Sequence, residues 1–359
     1  MTFLVDAHQD LAYNMLSFGR DYRRAVAETR RLEDGQPVIQ HTGQTLLGWP
    51  EYQAGQVGLI FSTLFLAPRR YRGGEWDLQS YASFDEAHRL LQGQVACYRR
   101  LCDESPQAFQ PVRRQAELRA VLDSWQTPQP NHPVGLMLLM EGAEGIAHPD
   151  ELAEWWDAGV RAIGLVWAGT RLCGGMHEGE GFTREGEAFL ETMADLGFIL
   201  DISHMNERSA RFALERYAGT VIASHANARA LLAPTLERHL SDDVIRLLVE
   251  RDGVMGILPF NRFLRPTWQP GDPRSAVTLL DVVAHIEHVC QLAGDARHVA
   301  IGTDFDGGFG WPSVPQGLET IADLQKLEPL LLERGYSAGD VQNIFSGNWL
   351  RQLERSLPQ

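Results

Sequence analysis

The fold is decided by the stretch Gly197–His225, GFILDISHMNERSARFALERYAGTVIASH. Its two apolar runs, Gly197–His204 and Thr220–His225, are short and continuous, which is typical of buried parallel strands. Between them, Asn206–Tyr217 has the apolar spacing of an amphipathic helix. A strand, a helix and a second strand in this order predict a right-handed parallel unit, the building block of α/β folds.

The same alternation continues on both sides of this stretch. Further strands are predicted at Phe3–Asp10, Val57–Ala67, Val134–Met140, Val160–Trp167, Gly253–Phe260 and His298–Phe305. Helices are predicted at Ser83–Asp103, Leu118–Trp125, Glu151–Ala158, Arg184–Leu196, Asp242–Glu250, Val277–Leu292, Leu318–Arg334 and Ala338–Leu353. Eight strands, most of them separated by helices, indicate an α/β fold of the (β/α)8 TIM-barrel type. The alternative, an open doubly wound sheet, more naturally stops near five or six strands.

The chain is expected to form one barrel domain over residues 1–359, because 359 residues with 44% hydrophobic content can bury one full-sized core. The polar segment from about Leu11 to Gln56 is unusually long for a barrel connection. It is therefore predicted to be an insertion after strand one, with a helix and an excursion over one end of the barrel.

Composition excludes several classes of partner. The chain has 32 basic and 47 acidic residues, a formal charge of -15, and no basic stripe, which argues against nucleic acid and against an anionic membrane surface. The four cysteines show no CxxC spacing and the chain shows no secretory leader, so reduced thiols in a cytoplasm are expected. No apolar run approaches the roughly 18 residues that span a bilayer. A soluble, cytoplasmic protein is predicted.

Metal-type side chains follow the predicted strands. In a barrel the active site lies at the carboxyl ends of the strands. Nitrogen or oxygen donors stand at five of these ends: His8, Asp10, Glu141, His204, His225 and Asp304. Because residues i and i+2 of a strand share a face, His8 and Asp10 should point the same way. The six side chains are therefore predicted to converge on one site.

The donor types indicate which ion would bind. Three histidines and three carboxylates without a thiolate suit Zn²⁺ or another borderline divalent ion. Six donors exceed what one tetrahedral ion needs, so two ions are expected, with a water or hydroxide between them. Glu141 is the natural bridging ligand. One metal would take His8 and Asp10, and the other His204 and His225.

These strand ends also carry a resemblance to a known family. The motifs HQDL, MEGAEG, DISH, ASHANAR and GTDFDGG, with VPQGLE and FSGNWLR near the end, run from Val5 to about Leu353. In this order they resemble the membrane (renal) dipeptidase family of zinc peptidases, within the amidohydrolase superfamily. The resemblance implies a binuclear zinc barrel that hydrolyses dipeptides, including some with a D-residue at the C-terminal position.

The resemblance also implies roles for individual residues. His8 and Asp10 match the ligands of one zinc, His204 and His225 match those of the other, and Glu141 matches the bridge. Asp304, the first Asp of GTDFDG, matches the acid/base residue. Arg238, in ERHLSDD, resembles the arginine that grips the substrate carboxylate, although its spacing from His225 is slightly long and RH stands where RN is common.

One departure from the family pattern concerns the end of strand four. Many members carry a histidine there that stabilises the tetrahedral oxyanion, whereas this chain has Trp167 in LVWAGTRLCGG. An indole offers one N–H donor and no positive charge. His177 or Arg171, in the Gly-rich loop that follows, are alternative sources of that stabilisation, although loop residues are mostly solvated. Trp167 and His177 are thus candidate substrate-binding residues.

The function hypothesis is a metal-dependent dipeptidase in which a hydroxide between two Zn²⁺ ions attacks the peptide carbonyl. Asp304 would move the proton and Arg238 would hold the substrate carboxylate. Substrates would be L-Xaa-L-Xaa and L-Xaa-D-Xaa dipeptides. Other small amides, N-acyl amino acids or lactones are the alternative substrates, and a catalytically silent binding barrel is the remaining alternative. The assembly state stays open, with a homodimer as one option.

Three other features are given structural interpretations. Asp201 and Asp306 lie near the predicted mouth, where they are expected to orient the metal ligands. His285, Glu287 and His288 have helical spacing that imitates a zinc site. They fall in the middle of a helix, away from the strand ends, and are therefore predicted to lie on a helix surface.

Overall fold

The computed structural model describes residues 2–232 and 237–359. Within that part of the chain, eight strands form the barrel: β1 (Leu4–Gln9), β2 (Val57–Phe65), β3 (Val134–Glu141), β4 (Val160–Gly164), β5 (Ile199–Asp201), β6 (Val221–Ala226), β7 (Val254–Ile257) and β8 (Val299–Ile301). They pair in chain order, and every pair is parallel. A parallel bridge between Gln9 and Phe305 closes the circle between β1 and the segment after β8. The predicted (β/α)8 barrel is confirmed.

Helices cover the outside of the barrel. In the described residues the α-helices are Leu11–Phe18, Val26–Glu33, Val38–Thr42, Trp49–Ala54, Phe84–Glu104, Gln115–Gln126, Leu152–Ala158, Arg184–Leu196, Glu207–Arg216, Asp242–Glu250, Asn261–Leu264, Leu279–Ala293, Leu327–Glu333, Ala338–Gln342 and Asn348–Ser356. Short strands at Ala67–Pro68, Ser80–Tyr81 and Phe109–Pro111 lie beside the barrel. The bounds predicted for Arg184–Leu196 and Asp242–Glu250 are the observed ones, because Thr183 and Ser241 cap their first turns.

The barrel interior is filled by alternate strand residues. Val5 and Leu59 face inward, whereas their neighbours Leu4 and Ile60 face the helices. Trp349, on the helix Asn348–Ser356, packs on Phe61 inside this core and donates its indole N–H to a β8 carbonyl. The helix thereby seals the end where the strands begin. The opposite end of the barrel, where the strands terminate, is therefore available for functional side chains.

Several strands are shorter than predicted at their carboxyl ends. β4 ends at Gly164 instead of Trp167, and β5 ends at Asp201 instead of His204. The backbone leaves the ladder there because it turns outward into the mouth. His204 and Asp304 both have positive φ, 67° and 56°. Such conformations are costly for residues other than glycine and cluster at functional sites.

The insertion after β1 contains four short helices between Leu11 and Ala54. Asp306, in the loop after β8, accepts hydrogen bonds from the Tyr22 hydroxyl (3.0 Å), the Thr45 hydroxyl (2.6 Å) and the Leu46 backbone (2.9 Å). The guanidinium of Arg20 lies 3.0 Å from the same carboxylate. The predicted role of Asp306 was wrong: it anchors the insertion to the mouth instead of orienting a metal ligand.

In the described residues, no helix has both the length and the apolar character needed to cross a membrane. The division of the chain into domains stays a prediction.

Candidate metal centre

We call His8, Asp10, Glu141, His204, His225 and Asp304 the ligand cluster. The carboxylate of Glu141, at the end of β3, lies at its centre. Its Oε2 is 3.2 Å from His8 Nε2, and its Oε1 is 2.8 Å from His204 Nε2 and 3.6 Å from His225 Nε2. All four side chains are buried. The two oxygens therefore face different histidines, which is the arrangement of a carboxylate that bridges two positions.

The other two predicted carboxylates lie around His8. Asp10 Oδ1 is 3.9 Å and Asp304 Oδ1 is 3.8 Å from His8 Nε2. The Thr63 hydroxyl on β2 donates to Asp10. A side chain at Gly307 would place its Cβ 1.9 Å from Asp304 Oδ1. Glycine at 307 thus leaves room for the Asp304 carboxylate to turn into the mouth.

The electrostatics of the cluster are those of buried charges in close contact. Burial alone would lower the pKa of His8, but Glu141, Asp304 and Asp10 raise it to about 10. Burial lowers the pKa of His204 to about 3, and the positive charge of Arg238 contributes. Burial raises the pKa of Asp304 well above its usual range, and the carboxylates of Asp10 and Glu141 add to that shift.

These donors fit a divalent cation. His8 Nε2 is buried and faces three carboxylates, at 3.2 Å for Glu141, 3.8 Å for Asp304 and 3.9 Å for Asp10. The Nε2 atoms of His204 and His225 are 2.8 Å apart and face the same carboxylate oxygen. Neutral imidazole nitrogens are acceptors unless protonated, so their convergence with carboxylates suits a positive ion. Nitrogen and oxygen donors without thiolate match Zn²⁺ and similar ions.

Arg238 also lies beside the cluster, just after residues 233–236, which are outside the described residues. It is buried, and its Nη1 donates to the carbonyl of His225 at 3.1 Å. Among the residues that the structure describes, none accepts a hydrogen bond from Nη2. Burial lowers the pKa of Arg238 while the carboxylates of Asp304 and Glu141 oppose the shift. A guanidinium nitrogen beside the candidate metal ligands is thus available to an anionic partner.

An aromatic cluster adjoins the histidines on the β4 side. Trp167 is half-buried, and its ring centroid lies 6.2 Å from that of His204. Tyr71 and Phe65 meet the indole edge to face at 6.1 and 5.4 Å. His177 is exposed and stacks on Tyr71 at 5.1 Å. We call Phe65, Tyr71, Trp167 and His177 the aromatic cluster.

Arg171 does not fit its suggested role as an oxyanion donor. Its Nε donates to Glu185 at 2.7 Å, and its Nη2 donates to the carbonyl of Ile146 at 2.7 Å. The guanidinium is therefore held by the loop and helix outside the cluster. His177 is in contact with Trp167 at a ring distance of 5.6 Å, and Trp167 in turn separates it from His204.

The sequence analysis did not single out Ser224, whose hydroxyl contacts the rings of His8 and His225. The adjacency of Ser224 to His225 was the available signal. Asp201, which was predicted to orient the metal ligands, accepts the hydrogen bond of the Ser224 hydroxyl. The surface prediction for His285 was wrong. His285 is buried and its Nδ1 accepts from the backbone N–H of Ala228, in the loop after β6. Its spacing from Val282 and Val289, both buried on the same helix, could have revealed this.

Known proteins show the same fold. The structure of the dipeptidase AC, a metallopeptidase of family M19, is 23% identical with a TM-score of 0.78, covering 100% of this chain and 99% of that one. A metallopeptidase from Rhodobacter sphaeroides, bound to a phosphinate mimic of the dipeptide L-Ala-D-Ala, is 22% identical with a TM-score of 0.78, covering 99% of this chain and 100% of that one. At this level of identity the likeness establishes the fold.

Two curated relatives are similar in sequence. Dipeptidase aclJ of Aspergillus oryzae is 35% identical over 173 residues, which are 48% of this chain and 38% of that protein. An uncharacterized dipeptidase of Schizosaccharomyces pombe is 32% identical over 228 residues, 62% of this chain and 53% of that protein. The chain thus aligns with about a third to a half of the length of these two relatives.

The family of the chain is shown by a match that covers almost its whole length. Residues 1–356 match the sequence profile of the membrane dipeptidases, peptidase family M19. That match includes every strand end that forms the cluster, and the family implies a divalent metal in a cluster of this donor type. The chain therefore belongs to the membrane dipeptidase family, peptidase family M19, whose members are metallopeptidases acting on peptide bonds.

Proposed function

We propose that this protein is a binuclear, zinc-dependent dipeptidase. The observation that carries the proposal is the division of the Glu141 carboxylate between His8 on one side and His204 with His225 on the other. One ion would be held by His8 and Asp10, and a second by His204 and His225, with Glu141 shared. Ions bound there would lower the pKa of a water molecule and polarise the peptide carbonyl.

Asp304 is the proposed proton carrier. Its carboxylate is within 3.8 Å of His8 and is 13% exposed, so it faces both the ligand cluster and the open mouth. Burial and the neighbouring carboxylates raise its pKa, which favours a group that takes up a proton and releases it again. In peptide hydrolysis it would accept the proton of the attacking water and deliver it to the departing amine.

Arg238 is the proposed anchor for the substrate carboxylate. Its Nη2 is buried and without an acceptor in the described residues, while Nη1 is fixed on the carbonyl of His225. A carboxylate placed there would form a charge-assisted hydrogen bond at a fixed distance from the histidines. This arrangement favours substrates whose free C-terminus lies one residue from the scissile bond, that is, dipeptides.

A solved structure of the same fold supports a proposal on the stereochemistry of the substrate. The Rhodobacter sphaeroides metallopeptidase with the same fold was bound to a mimic of L-Ala-D-Ala. We extend that substrate class to this chain and propose that it accepts L-Xaa-D-Xaa as well as L-Xaa-L-Xaa dipeptides. The aromatic cluster beside His204 would contact an apolar side chain of such a substrate.

The test compares free dipeptides with their C-terminal amides. A hydrogen bond to a charged group contributes roughly 1.5 to 3 kcal/mol. Amidation should therefore lower kcat/KM by about 10- to 150-fold. Arg238→Ala should remove most of this preference, whereas Arg246→Ala, which changes an exposed arginine on a surface helix, should keep it. A wild-type enzyme that cleaves acids and amides equally well would contradict the dipeptidase assignment.

A second candidate function is the hydrolysis of other small amides, N-acyl amino acids or lactones. Trp167 favours it, because the indole stands where many family members carry an oxyanion-stabilising histidine. The same metal ligands would serve, and only the pocket would differ. Cleavage of N-acyl amino acids or lactones with a larger kcat/KM than any dipeptide would select this alternative.

A further inference from the structure

One buried hydroxyl contacts ligands of both proposed metal positions. Ser224 precedes His225 on β6 and is fully buried. Its Oγ lies 2.8 Å from His225 Nδ1 and 3.4 Å from His8 Nδ1. The same atom is hydrogen-bonded to Asp201 Oδ2 at 2.5 Å. The two histidine rings are themselves in contact, with centroids 3.7 Å apart.

The hydrogen-bonding capacity of a hydroxyl decides how these contacts are used. A serine hydroxyl has one proton to donate and two lone pairs to accept. An ionised carboxylate can only accept, so the Ser224 proton goes to Asp201. The two lone pairs are then left for the two imidazoles, each of which must present an N–H at Nδ1. These three contacts match the capacity of the hydroxyl, and the Ser203 hydroxyl, 3.3 Å from Ser224 Oγ, is a fourth neighbour that competes with His8 for one lone pair.

Asp201 is held in place to receive that proton. Its Oδ1 accepts from the backbone N–H groups of Ser203 and Ser224, both at 2.9 Å. It is buried at the end of β5. The carboxylate therefore has a fixed orientation, and the direction of the Ser224 O–H bond is fixed with it.

The consequence concerns the opposite side of each ring. An imidazole that carries its proton on Nδ1 presents an unprotonated Nε2, the form that binds metals. Both Nε2 atoms point toward Glu141, at 3.2 Å for His8 and 3.6 Å for His225. Hydrogen bonds to the second ring nitrogen orient metal-binding histidines and commonly change metal affinity by about 10- to 100-fold.

We propose that Ser224, held by Asp201, is a positioning residue that sets the tautomer of His8 and His225 together. This inference rests on the proposed binuclear function, because His8 and His225 there belong to different ions. One hydroxyl then supports both metal positions, and its loss weakens both at once.

A different use of the same groups would be a cation bound directly by His8, Asp201 and His225, whose potential ligand atoms lie within 4.8 Å of one another. The Ser224 hydroxyl argues against it. Its Oγ already contacts all three side chains and occupies the position between them. A third ion that survives in the variants below would support that use and overturn the positioning role.

The experiment measures Zn²⁺ affinity by competition with a chelator. Ser224→Ala should weaken both binding steps by about 10- to 100-fold. Ser209→Ala is the matched control, since Ser209 is an equally buried serine, on the helix Glu207–Arg216, whose hydroxyl has no hydrogen-bond partner among the described residues. It should bind Zn²⁺ as the wild type does.

A second measurement separates positioning from loss of structure. In the metal-free protein, ¹⁵N NMR of the imidazoles should show His225 protonated at Nδ1 and not at Nε2, and this preference should disappear in Ser224→Ala. Ser224→Thr, which keeps the hydroxyl, should restore both the tautomer and the affinity. If Ser224→Ala does not fold, Ser224→Cys replaces it, because a thiol is a weak donor and acceptor.

The outcomes distinguish a failure of this inference from a failure of the proposed function on which it rests. If the wild-type protein binds a single Zn²⁺, the binuclear assignment is wrong, and Ser224 cannot support two metal positions. If the wild type binds two ions and Ser224→Ala weakens only one or neither, the joint role of Ser224 is wrong, but the proposed dipeptidase function is unaffected. Equal losses in Ser209→Ala would also overturn the joint role, because the effect would then be a general one of packing.

Discussion

The ligand cluster and the aromatic cluster meet at His204, yet they are built in opposite ways. The ligand cluster comes from the barrel strands and the residues immediately after them, is almost wholly buried, and is oriented from behind by hydroxyl and carboxylate groups. The aromatic cluster comes mainly from segments beyond β2 and β4, and its Tyr71 is 37% exposed. Under the proposed function, the reaction would take place on the rigid scaffold, and the connections would select the substrate.

The largest effect is expected when the two histidines on one side of the ligand cluster are replaced. His204→Ala combined with His225→Ala should reduce the metal content from about two ions per chain to about one and abolish turnover, because two of the nitrogens that converge on Glu141 are gone. Elemental analysis of the purified protein measures this. His148→Ala, which changes an exposed histidine, is the control. Unchanged metal content in the double variant would remove both histidines from the site.

The next test keeps the metal and removes a proton carrier. Asp304→Asn preserves size but cannot accept a proton, so kcat should fall by roughly 10²-fold or more. Metal content should stay normal, because the proposed ligands are untouched. Steady-state kinetics with Asp150→Asn, an exposed carboxylate, provides the reference. Full turnover in Asp304→Asn would assign the proton transfer to another group.

Burial alone does not make a histidine a metal ligand. His285 is as buried as the candidate ligands but lies outside the ligand cluster. Burial lowers its pKa from 6.5 to about 4, and the charge of His288 contributes. Between these values the unfolded chain binds a proton that the folded chain excludes, so stability is lost as pH falls below 6.5. From pH 7 to pH 5 the free energy of unfolding should drop by about 2 kcal/mol through this group.

His285→Gln removes the titrating group and keeps an acceptor for the Ala228 N–H. Its urea-unfolding free energy should therefore fall by about 2 kcal/mol less than that of the wild type between pH 7 and pH 5. Parallel pH dependences in the two proteins would show that His285 does not stay neutral in the fold.

The smallest effect is expected in the aromatic cluster. Aromatic pairs contribute about 0.5 to 1.5 kcal/mol beyond the area that they bury. Trp167→Leu should therefore lower kcat/KM for dipeptides with an aromatic side chain by about 2- to 12-fold, and change little for Ala-Ala. Trp76→Leu, another half-buried loop tryptophan, is the matched control. A uniform loss on all dipeptides would mean that Trp167 supports the site instead of selecting the substrate.

The sequence predicted the ligand cluster because strand ends are defined by local patterns. An apolar run that stops at His8 or at Glu141 marks the carboxyl end of a strand, and the barrel rule brings such ends together. The same logic was imprecise where the chain leaves the ladder before its apolar run ends, as after β5. There the strand ends at Asp201 and the chain enters a turn that includes His204 with its positive φ, and such a backbone turn has no composition signal.

Contacts between distant segments could not be predicted in this way. The donors that meet Asp306 come from the insertion, and none of them is adjacent to a strand pattern. A carboxylate near the mouth is compatible with either anchoring or ligand orientation until its partners are known. The neighbours of Trp167 were equally inaccessible, because loop conformation depends on packing and not on periodicity.

The anchoring of the insertion by Asp306 has a consequence for the order of folding. The hydrogen bond between Thr45 and Asp306 joins residues 261 positions apart, and the bond between Asp6 and Thr303 joins residues 297 positions apart. Contacts between residues so far apart in sequence form late in folding. The entropic cost of closing a long loop must be met before such contacts can stabilise the fold. His8 is synthesised long before Thr303, and its surroundings are complete only when the segment after β8 has docked. A nascent chain would therefore carry its strand-one metal-type side chains without a finished pocket until that segment has emerged.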